Sequence, residues 1–185
     1  LSCASVTGVA SASGTNGIGV VEAVQQTAFA STASAGRAEI HPGDAIAHRE
    51  VLETTKTGGM MLHLADGSRL TLGADSKAMI AAFAYEASSM SGNAVISIPA
   101  GTMRYVTGAM PKGHTIIYTP TATMTLQGTN VTIGVNAQGA THLTIEEGAV
   151  SVRSKTTGQE TVYHAGQSLD ITSDGVAMST AEATG

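Results

Sequence analysis

Most of the chain consists of short segments in which apolar and polar residues alternate, separated by residues that favour turns. In residues 121–126, threonine alternates with alanine, methionine and leucine, which predicts a strand with one buried and one solvent-facing side. Asp66-Gly67-Ser68 separates two further segments of this kind. Glycine adopts positive φ angles without steric cost, so this tripeptide predicts a tight turn between two strands.

The same pattern recurs from residue 19 to residue 171, and we predict an all-β protein with little or no helix. The predicted strands cover residues 19–24, 37–40, 60–64, 69–72, 94–98, 103–106, 115–118, 121–126, 131–135, 142–145, 149–152 and 168–171. Strand-turn units at near-regular spacing fit a short β-solenoid or β-roll, or a sandwich-like stack of short strands. No repeat period in the sequence decides between these windings.

The composition indicates an unusual core and surface. Apolar residues make up 42% of the chain, but aromatic residues only 3%, and tryptophan is absent. Valine, isoleucine, leucine, alanine and methionine must therefore fill the core, which suits closely stacked sheets. Charged residues are 12% of the chain, about half the usual share in a soluble domain. Such a neutral surface is typical of extracellular structural proteins rather than of cytosolic enzymes.

Charge and hydropathy exclude two classes of partner. The net charge is −5 and no cluster of basic residues occurs, which argues against binding to nucleic acid. No run of 18 apolar residues is present, so no membrane span is predicted. The single cysteine, Cys3, excludes an intrachain disulfide. Because Leu1 and Ser2 still precede it, we expect a free or intermolecular thiol rather than a lipid anchor, in a secreted chain whose signal peptide has been removed.

Three segments differ in composition. Residues 1–17 are rich in serine, alanine and glycine and form an N-terminal extension. Residues 18–172 contain the predicted strands and form a single β domain, and residues 173–185 form a C-terminal tail.

Five groups of residues, in order along the chain, resemble the FecR domain family. They are residues 42–44 with 52–54 and 64–72, residues 101–108, residues 118–123 with 127–130, residues 146–152, and residues 165–168. The resemblance covers about residues 19 to 171 and implies a FecR-like β domain. It places a strand at residues 76–84, the one segment whose pattern also allows a helix. The turn residues within the resemblance are Pro42, Gly43, Asp44, Asp66, Gly67, Ser68, Pro120, Gly128, Thr129, Asn130, Gly148 and Gly166.

The family takes its name from iron-uptake regulators that pass a signal from an outer-membrane receptor to a cytoplasmic sigma factor. Those proteins also carry a cytoplasmic segment, a transmembrane helix and a C-terminal signalling module. None of the three is recognisable in this sequence, so we do not expect a direct role as a sigma regulator.

The residues that carry catalysis elsewhere form no recognisable pattern here. None of the six histidines is paired with a second histidine at i+2 or i+4, so no metal centre is predicted. Asp66 and Asp174 each precede glycine, which indicates turns. His63 lies between two leucines of a strand and should be exposed. No nucleophile elbow, phosphate loop or dinucleotide fingerprint occurs, and we predict no enzyme activity and no cofactor.

Low charge and the composition of the N-terminal extension favour a self-assembling extracellular subunit of a filament or sheath. In this hypothesis the extension adds as a β-strand to the open sheet edge of a neighbouring copy, and Val6, Thr7 and Val9 are the assembly contacts. Head-to-tail addition would produce a homopolymer.

The alternative is a periplasmic or cell-surface adaptor or signalling domain that binds a protein or a glycan. Only the family resemblance motivates it.

Overall fold

The computed structural model describes residues 17–178, and no helix occurs within them. The polypeptide forms seventeen strands. They are β1 (Gly19–Gln25), β2 (Ala28–Ser31), β3 (Ala38–Ile40), β4 (Ala45–Ile46), β5 (Val51–Thr54), β6 (Gly59–Leu64), β7 (Arg69–Leu72), β8 (Lys77–Glu86), β9 (Ser91–Val106), β10 (Thr115–Tyr118), β11 (Ala122–Leu126), β12 (Asn130–Val135), β13 (Thr141–Glu147), β14 (Ala149–Ser154), β15 (Glu160–His164), β16 (Ser168–Thr172) and β17 (Gly175–Met178).

The strands form two sheets that share β9. Sheet A has the order β4–β1–β6–β7–β9–β12–β13–β16–β17. Sheet B has the order β3–β2–β5–β8–β9–β10–β11–β14–β15. Residues 91–100 of β9 belong to sheet B, and residues 101–106 belong to sheet A. The pairing of β9 with β10 is parallel, and the other pairings within residues 17–178 are antiparallel.

Hairpins are placed alternately in the two sheets along the second half of the chain. The β10–β11 hairpin lies in sheet B, β12–β13 in sheet A, β14–β15 in sheet B and β16–β17 in sheet A. The β14–β15 hairpin pairs with β11 and so extends sheet B, and the β16–β17 hairpin pairs with β13 and so extends sheet A. The structure therefore confirms the prediction of an all-β stack of short strands with little or no helix.

The inner faces of both sheets contribute to one aliphatic core. Along most strands buried and exposed side chains alternate, as in β12, where Val131, Ile133 and Val135 point inward. The buried apolar side chains from the two sheets form a single contiguous cluster. Tyr105 is the largest of the fully buried side chains. Because aromatic residues are scarce, β-branched and methionine side chains fill most of the space between the closely packed sheets.

Strand β9 crosses from sheet B to sheet A at Gly101, where φ is +92°. A Cβ atom at this position would lie 2.3 Å from the Cα of Ser76. The Ser76 hydroxyl accepts a hydrogen bond from the Thr102 amide at 2.9 Å and donates to the Ala74 carbonyl at 3.0 Å. The crossing therefore needs a residue without a side chain and is held by one serine.

Several strands differ from those expected. The segments 94–98 and 103–106 belong to one strand, β9, because Gly101 bends the chain without reversing it. Residues 76–84, where the resemblance favoured a strand, lie largely in β8. Strands β2, β4, β5 and β15 were not predicted. Strand β17 lies within the predicted C-terminal tail and pairs with β16, so the sheet continues past residue 172.

Replacing Gly101 with alanine should destabilise the protein far more than the same change at Gly43. Both glycines have nearly the same φ, +92° and +94°, but a Cβ at Gly43 would meet nothing within 4 Å. We expect Gly43→Ala to cost about 1–2 kcal/mol from backbone strain. Gly101→Ala should cost at least about 3 kcal/mol, because the clash with Ser76 is added. Urea unfolding of both variants measures the difference, and equal losses would contradict the role of the crossing.

Candidate functional site

The predicted turn at Asp66-Gly67-Ser68 is docked onto the segment that follows β9. Asp66 is only 4% exposed, and its carboxylate accepts hydrogen bonds from the Ser68 amide (3.0 Å), the Ser68 hydroxyl (2.5 Å) and the Met110 amide (3.2 Å). The Ser68 hydroxyl in turn accepts from the Gly108 amide at 2.8 Å. A Cβ at Gly108 would lie 2.4 Å from the Asp66 carbonyl oxygen. The turn therefore fastens the β6–β7 hairpin to the end of β9.

The turn residues near the start of the domain stabilise their own loop. Asp44 accepts a hydrogen bond from the His41 amide at 2.7 Å. The Gly43 amide donates to the Val21 carbonyl at 2.8 Å, and Pro42 precedes it in the same turn. These contacts connect the loop to β1.

The remaining predicted turn residues lie between strands of the second half, except Asn130, which is the first residue of β12. A Cβ at Gly148 would lie 2.3 Å from the carbonyl oxygen of Gly128, so these two turns touch. Thr129 is buried. The Asn130 side chain accepts a hydrogen bond from Arg104 at 3.2 Å. Pro120 precedes β11, and the Gly166 amide donates to the Ile145 carbonyl at 2.8 Å. The twelve predicted turn residues are spread over the molecule and do not converge on one site.

A buried polar cluster lies beneath the Asp66 turn. Burial raises the pKa of Tyr105 to about 12; the neighbouring Ser68 and Thr115 hydroxyls oppose this shift, and the Asp66 carboxylate adds to it. Nevertheless, the hydroxyl oxygens of Tyr105 and Thr115 have no aligned hydrogen-bond partner among the described residues. The Ser68 and Thr115 hydroxyls thus lie close enough to Tyr105 to influence its pKa, but they are not aligned for a hydrogen bond with it. The cluster lies in the interior and not in a cleft.

The outer face of sheet B carries an apolar centre that sequence reasoning did not identify. We call it the apolar face and define it by Met79, Val95, Ile116, Tyr118 and Val162; Thr125 and Ser151 separate Val162 from Ile116 in the same row. Val95 pairs with Ile116 on the central strands β9 and β10. Tyr118 is 37% exposed and Val162 is 52% exposed. The signal was the presence of apolar residues at outward positions of these strands, which became readable only once the register was known.

One charged cluster borders the apolar face on the β5 side. Glu53 lies 3.0 Å from the ammonium group of Lys77 and 3.0 Å from Nε of Arg37. The hydrogen bond from Lys77 holds the pKa of Glu53 below its ordinary value; Arg37 adds to this effect, and partial burial opposes it. The Arg37 guanidinium also lies 3.5 Å from the centroid of the Phe29 ring, a cation–π contact.

The opposite border carries charges as well. The Lys155 ammonium lies 5.5 Å from the centroid of the Tyr118 ring and donates to the Thr119 carbonyl at 2.5 Å. Arg153 pairs in register with Glu160 on the outermost strands of sheet B. An apolar centre between polar, charged borders is the usual anatomy of a protein–protein interface.

The outer face of sheet A is polar by comparison. Arg104 forms an ion pair with Glu146 at 2.8 Å, and Nδ1 of His142 lies 2.7 Å from the Asp170 carboxylate. His63 lies on this face and is exposed, as its position between two leucines predicts. Within residues 17–178, no group of three histidine, cysteine, aspartate or glutamate side chains is placed to hold a metal ion. In the same part of the chain, no helix is long and apolar enough to cross a membrane.

The fold defines the class of an all-β domain built from two sheets, and comparison with known proteins identifies its family. The chain belongs to the FecR family: the signature of the FecR protein matches residues 50–151, more than half of the chain. The family resemblance drawn from the sequence is therefore confirmed. No curated protein sequence matches the chain.

Two crystal structures, at 2.50 and 1.65 Å resolution, share the fold. Both are of a "putative anti-sigma factor" from Parabacteroides distasonis, with TM-scores of 0.55 and 0.54 and 12% sequence identity. Each match covers 70% of this chain and 58% of the other. The chain thus corresponds to little more than half the length of these proteins.

The prediction of a self-assembling filament or sheath subunit is wrong. The match to the FecR family supports the alternative, an adaptor or signalling domain, better than it supports a filament subunit. Nothing supports a homopolymer. The low charge that favoured it reflects outward strand positions that hold threonine rather than charged residues, as at Thr123 and Thr125 in β11. The predicted assembly contacts Val6, Thr7 and Val9 lie outside the described residues.

Replacing Asp66 with alanine should destabilise the protein by about 3 kcal/mol, because buried donors of Ser68 and Met110 lose their acceptor. Asp174→Ala is the matched control, since Asp174 also precedes a glycine in a turn but is exposed. It should cost less than about 0.5 kcal/mol. Chemical unfolding of both variants tests this, and similar losses would show that the Asp66 turn is not a fastening point.

The Tyr105 hydroxyl should make stability fall above pH 10. In the unfolded chain the group ionises near its ordinary pKa of 10.0, whereas in the folded protein it stays protonated to about pH 12. The folded state then binds more protons, so about 2–3 kcal/mol is lost between pH 10 and 12.

Tyr105→Phe should remove the loss of about 2–3 kcal/mol in stability between pH 10 and 12. At neutral pH it should change stability by less than about 1 kcal/mol, because the hydroxyl has no aligned partner. The surface variant Tyr118→Phe should keep the wild-type profile. An unchanged alkaline profile in Tyr105→Phe, measured by thermal unfolding from pH 8 to 12, would contradict the assignment.

Proposed function

We propose that this chain is a non-enzymatic signalling adaptor of the cell envelope that binds a protein partner through the apolar face of sheet B. The partner-binding unit is the FecR-like domain, residues 18–172, together with the strand β17 that extends sheet A. The periplasm is the compartment we assign to it.

Family membership supports a regulatory role for the chain. The proteins that share its fold are described as anti-sigma factors, and such factors act by binding other proteins. Regulation by binding requires a surface with affinity and specificity but no catalytic groups. This requirement fits a domain whose polar residues serve turns and cross-strand pairs.

The single observation that carries the proposal is the apolar face between two charged borders. Uncovered side chains of this size lose contact with water when a partner docks, and aromatic residues and methionine are enriched at such centres. The borders contain both signs of charge, Glu53 with Lys77 on one side and Arg153 with Glu160 on the other. Mixed charges favour a defined orientation of the partner rather than nonspecific adhesion.

Photo-crosslinking in intact cells tests this surface. A photo-reactive phenylalanine analogue is placed at Val162 on the apolar face or, as control, at His63 on the outer face of sheet A. We expect a discrete protein adduct from position 162 and none from position 63. Tyr118→Asp should reduce the adduct at least tenfold, because burial of a charge on docking is unfavourable.

The matched variant Thr132→Asp places the same charge on the opposite face and should leave the adduct unchanged. The set of transcripts altered by Tyr118→Asp should also match the set altered by deletion of the gene. If folded Tyr118→Asp protein keeps both the adduct and normal transcription, the apolar face is not the partner site.

A further inference from the structure

Strand β15 forms one edge of sheet B, and one side of its backbone faces away from β14. The Ser154 amide donates to the Gln159 carbonyl at 3.0 Å, and the Ala165 amide donates to the Gly148 carbonyl at 3.0 Å. Successive residues of a strand direct their backbone groups to opposite sides. The odd-numbered residues of β15 therefore bond to β14, and the even-numbered residues point away from it. Within residues 17–178, β14 is the strand with which β15 pairs.

Two of the three even-numbered residues of β15 leave their backbone groups available. The His164 amide donates to Oε1 of Gln167 at 2.6 Å, and the His164 carbonyl accepts from the Gln167 amide at 3.2 Å. The backbone groups of Glu160 and Val162 make no such contacts within the described part of the chain. Another extended polypeptide supplies the amides and carbonyls that satisfy an open edge of this kind.

The β15 edge lacks the features that usually protect an exposed strand. Proteins keep edge strands short or place proline, lysine or a bulge in them. The other edge strands β3, β4 and β17 have three, two and four residues, whereas β15 has five. It contains neither proline nor lysine, and its register with β14 has no shift. Its three central residues are threonine, valine and tyrosine, all of which favour strands.

The sequence of β15 is complementary to itself in antiparallel orientation. With Val162 opposite Val162 of a second copy, Glu160 lies opposite His164 and Thr161 lies opposite Tyr163. An imidazole donates a hydrogen bond to a carboxylate in either protonation state. Aromatic side chains opposite β-branched ones also stabilise antiparallel pairs. The outward row would thus hold one apolar pair between two pairs of carboxylate and imidazole, which is the charge complementarity that selects a second copy as the occupant.

The end of the strand stack also suits a second copy. Each sheet has four strands beyond β9, so both sheets end at the same step of the stack, one at β15 and the other at β17. Tyr163 and Val176 are partly buried against the core at this end. A second copy joined here would bring its own Tyr163 and Val176 towards them and so continue the core.

We infer that two copies of this chain form a closed, symmetric dimer in which their β15 strands pair antiparallel about Val162. The two Val162 residues exchange two hydrogen bonds, and each Glu160 amide donates to the free lone pair of the other copy's His164 carbonyl. Because both copies use the same edge, assembly stops at two. Unlike the filament arrangement, this pairing uses no residue of the N-terminal extension. It does not depend on the protein partner proposed for the apolar face.

Sedimentation equilibrium of the whole chain tests the inference, with Cys3→Ser present throughout so that no native thiol contributes. We expect twice the chain mass of 18.6 kDa, with a dissociation constant in the micromolar range because a short strand edge buries little surface. Val162→Pro removes an outward amide but no bond to β14, and should weaken the dimer at least about tenfold. The matched control Val162→Thr keeps both the amide and the branched shape and should dimerise nearly as well as the wild-type protein.

Two substitutions at His164 should change the affinity in opposite directions. His164 is exposed, so neither variant should disturb folding. His164→Arg places a permanent positive charge opposite Glu160 and should tighten the dimer by about threefold or more. His164→Glu places like charges opposite each other twice and should weaken it by about tenfold. Equal affinities of these two variants would contradict the pairing of residues 160 and 164.

Disulfide formation tests the register. Val162→Cys in the Cys3→Ser background should give a linked dimer on mild oxidation, because the Cα atoms of such a pair lie about 5.5 Å apart, a separation that a disulfide spans. Thr156→Cys, exposed in the turn before β15, should not.

Three results would overturn the inference. They are a monomeric wild-type chain at all concentrations, undiminished dimerisation of Val162→Pro, and a linked dimer that forms through position 156 but not through position 162. The wild-type mass and the disulfide decide the matter even if Val162→Pro proves unstable.

Discussion

Strand β9 is the structural element on which both sheets depend. Its first ten residues are central in sheet B and its last six are central in sheet A. The change of sheet takes place at Gly101, whose positive φ and contact with Ser76 leave no room for a side chain. The register of every other strand is set, directly or through its neighbours, by pairing with β9. The position of the apolar face follows from that register.

The interior combines a simple aliphatic core with one demanding polar region. Aliphatic side chains pack between the sheets without directional requirements, so many similar sequences would satisfy them. The Asp66 turn is different, because its buried carboxylate must meet three donors at once. Fully satisfied buried polar groups specify one arrangement, since any other arrangement leaves them unpaired. This turn therefore defines how the β6–β7 hairpin sits against the end of β9.

The two outer faces of the sheets differ in character. Sheet B presents apolar side chains between charged borders, which fits the anatomy of a protein interface. The outer face of sheet A carries cross-strand charged pairs such as Arg104 with Glu146. Because the sheets pack through a common core, their outer faces point away from each other.

The sequence by itself determined most of the strands, most turns and the family. Alternation along residues 121–126 and the Asp66-Gly67 turn depend on neighbouring residues, and such local signals can be read directly. Prediction from the local sequence pattern missed strands in which the alternation of apolar and polar residues is weak, as in the short strand β2 and the edge strand β15. It also could not distinguish Asp66, which is buried, from Asp174, which is exposed in an equivalent dipeptide.

Only the tertiary structure decided which distant residues share a row. Gly59 and Gly134 are far apart in the sequence, and they lie in one row across sheet A because the registers of three consecutive strand pairings align them. The same is true of Val95 and Ile116 on the apolar face. A shift of one residue in any of these pairings would turn the row to the other face of the sheet. Register is a property of long-range pairing, which the local sequence pattern does not encode.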